Sequence, residues 1–338
     1  MKILVSGGAG YVGSVVIPEL VKDGHYVKCL DRFFFGNEYL SSEQFQGKVE
    51  LIRDDIRWFD PKILESVDIV LDLAALSNDP VGELDPNKTF DINHLGRARV
   101  ARLSKNAGVK RYILASSASV YGQQSGAVDE KSPVNPLTAY SKANRMAEVD
   151  NIPLNDDNFV VTVMRFSSIY GLSPRMRFDL AVNSMALELY KTGKIVVRGK
   201  SNTRPFLHIK DAARAYLLFI NAPKEKIGGE IFNIGSDEQN YQMDRLSREV
   251  AESIGKKYEI EVKDTKDHRS YIASFKKVKE RIGFTTKHTV KDGSIEIFKA
   301  LESGNLVDST KTITVEWYKH LQSIYKTANE VSLRDTIL

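Results

Sequence analysis

The chain has 338 residues, an ordinary apolar fraction, one cysteine and a formal net charge of +4, enough for one large domain or two smaller ones. So small a charge, without any Lys/Arg block, gives no footing for nucleic acid or an anionic membrane. The lone Cys29 excludes an intrachain disulfide, no run approaches a membrane span, and the apolar stretch before Gly7 is too short for a signal-peptide core, so the expectation is a cytoplasmic protein.

Short apolar runs alternate with amphipathic stretches through the first half. Residues 3–5, 26–30, 49–52, 69–73, 112–115 and 160–164 predict buried strands, and residues 12–23, 61–65, 91–107 and 138–151 predict helices between them. This alternation predicts the doubly wound α/β class, a parallel sheet with helices on both faces. After Gly171 the rhythm changes. Residues 178–192, 211–221, 243–254, 276–282 and 292–302 predict helices, with Asp211 capping the second of them, and 194–198, 230–234 and 257–262 predict strands. The polar stretch after Tyr325 predicts a loosely held tail.

The first predicted strand runs into 7-GGAGYVG-13 and then a helix. Gly8, Gly10 and Gly13 satisfy G-x-G-x-x-G, and Gly7 adds G-x-x-G-x-x-G. A dinucleotide needs this arrangement: a tight turn, close approach of backbone to pyrophosphate, and free N–H groups at a helix N-terminus. The loop nominates Gly7, Gly10, Tyr11, Val12 and Gly13 as cofactor contacts. Asp31 closes the second strand, where a carboxylate accepts hydrogen bonds from the adenosine ribose and repels a 2′-phosphate, favouring NAD over NADP; Arg32 beside it softens that preference. Asp55 and Ile56 follow the third strand, with Asp55 in reach of an adenine amino group. Leu73, Ala74 and Ala75 follow the fourth strand, with Ser77 toward the substrate, at the carboxyl end where such sheets bind ligands. The six histidines show no metal-ligand spacing, so no metal site is expected.

The glycine loop, SSASVYG at 116–122, a tyrosine on the following helix, RFSSIYG at 165–171 and RPFLHIKD at 204–211 together resemble the extended short-chain dehydrogenase/reductases, the NAD-dependent nucleotide-sugar epimerases and dehydratases. The resemblance spans nearly the whole chain in the right order. Within it, PRMRFDLAVN at 174–183 and DHRSYIAS at 267–274 look most similar to enzymes that oxidise position 4 of GDP-linked heptoses. The resemblance implies an NAD-binding Rossmann domain, 1–172 plus about 211–238, a smaller sugar-nucleotide domain, about 173–210 plus 239–325, and a tail, 326–338. It also implies a homodimer built on the helices at 91–107 and 138–151, with Ala143, Met146 and Ala147 at the contact.

For chemistry, the resemblance implies that Ser117 hydrogen-bonds the sugar hydroxyl and that Tyr140 takes its proton while hydride passes to nicotinamide. The family pattern is Y-x-x-x-K, but position 144 is Asn144. Lys142 is no substitute, because i+4 shares a helix face with Tyr140 and i+2 does not. Free tyrosine has a pKa of about 10; if the missing cation is worth about two units, phenolate loses ~2.7 kcal/mol of stabilisation. The expectation is a base that works best at alkaline pH, or a catalytically impaired NAD-binding sensor. Ala118 and Ser119 stand where the dehydratases carry an acidic pair, which disfavours loss of water. Arg204 and Arg269 match positions that bind the substrate diphosphate, Asn183 and Arg175 lie on that side, Ser168 stands where relatives carry a substrate-touching asparagine, and His208 reads as structural. The partner implied is a nucleotide-diphosphate sugar.

Overall fold

The computed structural model describes residues 1–338 apart from 266, 268, 334, 335, 337 and 338. Seven parallel strands form the main sheet: β1 (Lys2–Ser6), β2 (Tyr26–Asp31), β3 (Val49–Arg53), β4 (Ile69–Asp72), β5 (Arg111–Ser117), β6 (Val160–Phe166) and β7 (Glu230–Ile234). Their order is β7-β6-β5-β4-β1-β2-β3. The order reverses between β1 and β4, where Ile3 is in register with Val27 on one side and Ile69 on the other. That switch point opens a crevice at the strands' carboxyl ends. Val16, Ile17 and Phe219 pack on one face of the sheet, and Val100, Ala101 and Ala147 on the other. With both faces covered, all seven residues of β6 are buried.

A second apolar cluster lies outside this sheet, where Val182, Met185, Ile195, Phe206, Leu246 and Phe298 meet. It joins the helices Ala181–Thr192, Met243–Ile254 and Val290–Glu302 to short strands, including the parallel pair Lys194–Arg198 and Glu259–Lys263. Two small pairings have no alternating pattern to announce them: Thr203–His208 between Ser168–Tyr170 and Asn240–Gln242, and Gln123–Val128 with Ser270–Ala273.

Several expectations are corrected. Residues 61–65 give only a 3-10 turn, Pro61–Leu64. The helix expected over 91–107 opens as a π-helix, Asp91–Gly96, before becoming α-helical at Arg97–Asn106. The helix Ile209–Asn221 is capped by His208, whose ring nitrogen accepts from the Lys210 amide at 3.2 Å; Asp211 is buried and accepts from the amides of Lys287 and His288 instead. Ala143 and Ala147 are fully buried in the chain's own core, while Met146 is exposed. The expected tail begins inside a helix, Thr314–Val331, whose Tyr318 ring packs edge-on against Phe34 and Phe35. Residues 334, 335, 337 and 338 of that tail, and His268 of the 267–274 stretch, lie outside the described residues.

Candidate active site

A cavity of about 600 Å³ occupies the switch-point crevice. Every residue nominated for the cofactor from the strand ends and glycine loop lines it: Gly7, Gly10, Tyr11, Val12, Gly13, Asp31, Arg32, Asp55, Ile56, Leu73, Ala74 and Ala75, with Ser77 at the far side. Gly7 has φ +69°, and a Cβ there would stand 2.8 Å from the Ala74 backbone. The loop therefore brings β1 and β4 closer than any side chain allows. The Asp31 carboxylate accepts from the amides of Ala9 at 3.0 Å and Phe33 at 2.8 Å, which fixes it facing the cavity. Arg32 donates to Asp55 at 2.8 Å, and Arg57 donates to both Asp55 oxygens at 2.9 Å. Burial pushes the Asp55 carboxyl up, but Arg57 and Arg32 outweigh it and hold it at about 2. Arg32 is thus committed to Asp55, and Asp55 is already fully engaged as an acceptor.

Arg175 lies on this cavity wall, with its guanidinium 3.5 Å from the Phe35 ring, and not with Arg204 and Arg269. Its Nε is buried without a partner among the described residues. Burial, then the charge of Arg177 beside it, push Arg175 below its ordinary value. A guanidinium so placed is destabilised until an anion joins it. A glycine cradle with no room for a Cβ at Gly7, Gly8 or Gly13, a fixed carboxylate and an under-satisfied guanidinium fit a dinucleotide with a diphosphate centre. The C-terminal helix closes the outer side with Tyr318, Leu321, Gln322 and Tyr325, and Trp317 donates to the Phe34 carbonyl at 2.7 Å.

Neither Ser117 nor Tyr140 lines this cavity; Tyr140 stands next to it, against Gly82, the residue after cavity-lining Val81. Its helix, Ala139–Asn151, starts at a capping box between Thr138 and Ser141. Buried Glu148 pins that helix to the sheet, accepting from Ser116 at 2.6 Å and from Arg165 at 2.9 and 2.7 Å. Losing one partner of such a buried pair costs about 3–5 kcal/mol. Tyr140 is thereby held beside Gly82, where an added Cβ would stand 3.0 Å from the Tyr140 Cβ. Burial pushes the phenol up, Asp79 pushes the same way, and the nearby Ser117 hydroxyl with the charges of Arg97 and Arg177 pull it down. Ser117 also caps the turn Ala118–Tyr121, accepting from the Ser119 amide at 3.1 Å. Asn144 is buried one turn along; its amide donates to the Tyr140 carbonyl at 3.0 Å. Lys142 is exposed on another face.

Arg204 and Arg269 come together through Asp267, which accepts from both. Arg269 also pairs with Asp79, and Asp79 accepts from the Thr138 hydroxyl at 2.6 Å, so the arginine pair is tied to the start of the Tyr140 helix. Asn183 is buried and fully engaged, accepting from the Gly171 amide and donating to the Arg177 carbonyl and Tyr11 hydroxyl. Ser168 is half-buried in its short strand and does not line the cavity. His208 is buried, and its Nε2 pairs with Glu296 at 2.9 Å. Among the described residues no group of three metal-ligating side chains forms.

Sequence reasoning missed two arginines. Arg177 is buried, lines the cavity, chelates Asp179 through two contacts of 3.0 Å and donates to Ser77 at 3.0 Å. The signal was the second arginine of PRMR, two residues beyond the one singled out. The other is Arg97, buried against Asn144.

Fold and cavity define a dinucleotide-dependent α/β enzyme of the doubly wound class. The model of the "NAD dependent epimerase/dehydratase family" matches residues 3–235, and the chain belongs to that family. NAD is the cofactor. The UDP-glucose 4-epimerase of Lactobacillus helveticus is 26% identical over 317 residues, covering 87% of this chain and 95% of that protein. The UDP-glucuronic acid decarboxylase 4 of Arabidopsis thaliana is 28% identical over 306 residues, covering 87% and 67%. Among solved structures, the UDP-glucuronic acid 4-epimerase from Bacillus cereus in complex with UDP-glucuronic acid and NAD superposes with a TM-score of 0.80 at 23% identity, covering 90% of this chain and 99% of the other, a likeness of fold.

Proposed function

We propose that the protein oxidises C4 of a nucleotide-diphosphate sugar through a 4-keto intermediate, acting as a 4-epimerase, or as a 4-dehydrogenase where the ketone is released. The reading is supported by one observation: Tyr140, with Ser117 beside its phenol, packs against Gly82, next to Val81 in the wall of a cavity fitted to a dinucleotide. Tyr140 takes the C4-hydroxyl proton, and Ser117 holds that hydroxyl in line. NAD, when bound, supplies the hydride acceptor. Arg204 and Arg269 receive the substrate diphosphate, oriented by Asp267, and their forked donors suit it. Ala118 and Ser119 supply no acid–base pair for dehydration. The names of the two relatives above support a UDP-linked sugar over the GDP-heptose suggested by residues 174–183 and 267–274.

The division of labour follows: 1–172 with about 211–238 for NAD, and about 173–210 with 239–325 for the sugar nucleotide. We place the protein in the cytoplasm as a homodimer joined through the helices expected at 91–107 and 138–151, which are Asp91–Gly96 running into Arg97–Asn106, and Ala139–Asn151. Leu95, Met146 and Val149, exposed by 53%, 42% and 51%, support that face. A monomer by light scattering at micromolar concentration contradicts the dimer. The function is tested by incubating protein and NAD with UDP-glucose, UDP-glucuronic acid and GDP-linked sugars and analysing products by NMR. A C4 epimer is expected; a released 4-keto sugar identifies the dehydrogenase, and no change at C4 in any of them overturns the reading.

A further inference from the structure

A phenol with an ordinary pKa of about 10 needs a cation to act as a base near neutrality, and position 144, on the face that could carry one, is an asparagine. The place is nevertheless not without charge. Arg97, 1% exposed, reaches across from the neighbouring helix and donates through Nη1 to the Asn144 Oδ1 at 2.8 Å. Its Nη2 donates to the carbonyls of Asp72, at 3.1 Å, and Ala115, at the carboxyl ends of β4 and β5. The guanidinium is therefore held by three acceptors from three elements, one of them a side chain one helical turn beyond Tyr140. We propose that Arg97 is the cationic partner of Tyr140, docked through Asn144 onto the face of the helix that Tyr140 occupies.

Local geometry explains how an arginine comes to lie there. Arg97 follows directly on the π-helix Asp91–Gly96, which changes the facing of the residues after it relative to a continuous α-helix. The π-turn is anchored by Asn93, whose side chain bonds both the amide and the carbonyl of Leu76, and by His94, which meets Asp150 of the Tyr140 helix at 2.7 Å. At Gly96 a Cβ would stand 3.0 Å from the Ile56 side chain, so the turn packs closely against the loop after β3.

The other charges around Tyr140 are accounted for. Asp79 opposes phenolate but is paired with Arg269, and Arg177 favours it but is paired with Asp179. Tyr271 adds an uncharged phenol. Asp72 faces Arg97 with 3.9 Å between Nε and Oδ2. Its oxygens accept from the hydroxyls of Ser6 and Tyr112, each at 2.5 Å, and it meets the guanidinium at Nε, whereas Nη1 faces Asn144. Arg97 acts through Asn144 and through its field. It is a positioning residue, not one that touches substrate.

The inference rests on Tyr140 as the base, and its test separates the two. The protein with bound NAD is labelled with 13C-ζ tyrosine, Tyr140→Phe assigns the signal, and its pH titration is followed in wild type, Arg97→Gln and Arg97→Lys. Arg97→Gln removes the charge and keeps a shorter neutral N–H donor. The midpoint is expected to rise by about one pH unit in Arg97→Gln, a ten-fold change in ionisation, and to stay near wild type in Arg97→Lys. Should Arg97→Gln fail to fold, Arg97→Gln/Asn144→Lys moves the cation onto the Tyr140 helix, and a midpoint near wild type is expected. An unshifted midpoint in Arg97→Gln, a raised one in the double variant, or a wild-type Tyr140 that stays protonated to the edge of folding overturns the proposal. Turnover by Tyr140→Phe would overturn the reading of the base and not the Arg97–Asn144 contact.

Discussion

The two ends of the site are built differently. The cofactor end is assembled from short pieces of chain at successive strand ends, and much of what it presents is backbone: the turn at Gly7–Gly13 and the amides of Ala9 and Phe33 that fix Asp31. The end proposed for catalysis is assembled from side chains far apart in sequence, with Arg97 against Asn144 and Arg269 against Asp79. A backbone cradle tolerates little change, because its dimensions are set by the absence of side chains. A charge balance made of long-range pairs can be rewired, with a cation delivered from a different helix, while the base keeps its place.

The largest expected effect on cofactor binding is at the cradle. Gly10→Val places a Cβ near only the Gly7 carbonyl, at 3.1 Å, so the protein without NAD should melt near the wild-type temperature. The added carbons crowd the cavity wall, and NAD affinity should fall about a hundred-fold, ~2.7 kcal/mol by calorimetry. A loss of folding as large as the loss of binding would break the distinction between the two ends.

A smaller effect is expected at Asp31. Its carboxylate offers a charge-assisted hydrogen bond, so Asp31→Ala should weaken NAD about ten-fold. Discrimination against NADP should shrink, because the carboxylate that repels a 2′-phosphate is gone, but should not invert, because Arg32 is occupied by Asp55. Titration of both cofactors checks this, and tighter NADP than NAD binding by wild type would contradict it.

The smallest is a pH effect. Asp55 sits at about 2 in the fold, below its ordinary 3.8, so its contribution is fully present above about pH 4 and is lost as pH falls through about 2. Because Arg32 is 43% exposed, screening reduces that contribution to about 1 kcal/mol. The melting-temperature gap between wild type and Asp55→Asn should be constant above about pH 5 and should close on acidification. A gap that widens in acid would reverse the sign.

Legibility follows the same division. The main-sheet strands and the glycine loop are local patterns, and Asp31 follows from its distance to the glycines. Arg97 is not legible, because RARVAR at 97–102 reads as a solvated helix face. Only the preceding π-turn buries Arg97 and leaves Arg99 to cap the Phe59 carbonyl. The helix Thr314–Val331 is likewise hidden, since what it covers, Phe34 and Phe35, lies near the other end of the chain. Asn144 is visible as a departure from the motif, but its compensation is a contact across 47 residues.

Tyr140→Phe tests the central claim most directly, with NAD affinity and turnover of the nucleotide sugar measured on one preparation. The ring still packs beside Gly82 but has no proton to exchange. NAD affinity should stay within about two-fold while turnover falls about a thousand-fold, within the range general-base catalysis supplies. A variant that turns over within about ten-fold of wild type would show that another group removes the proton, and the assignment of this site would fall.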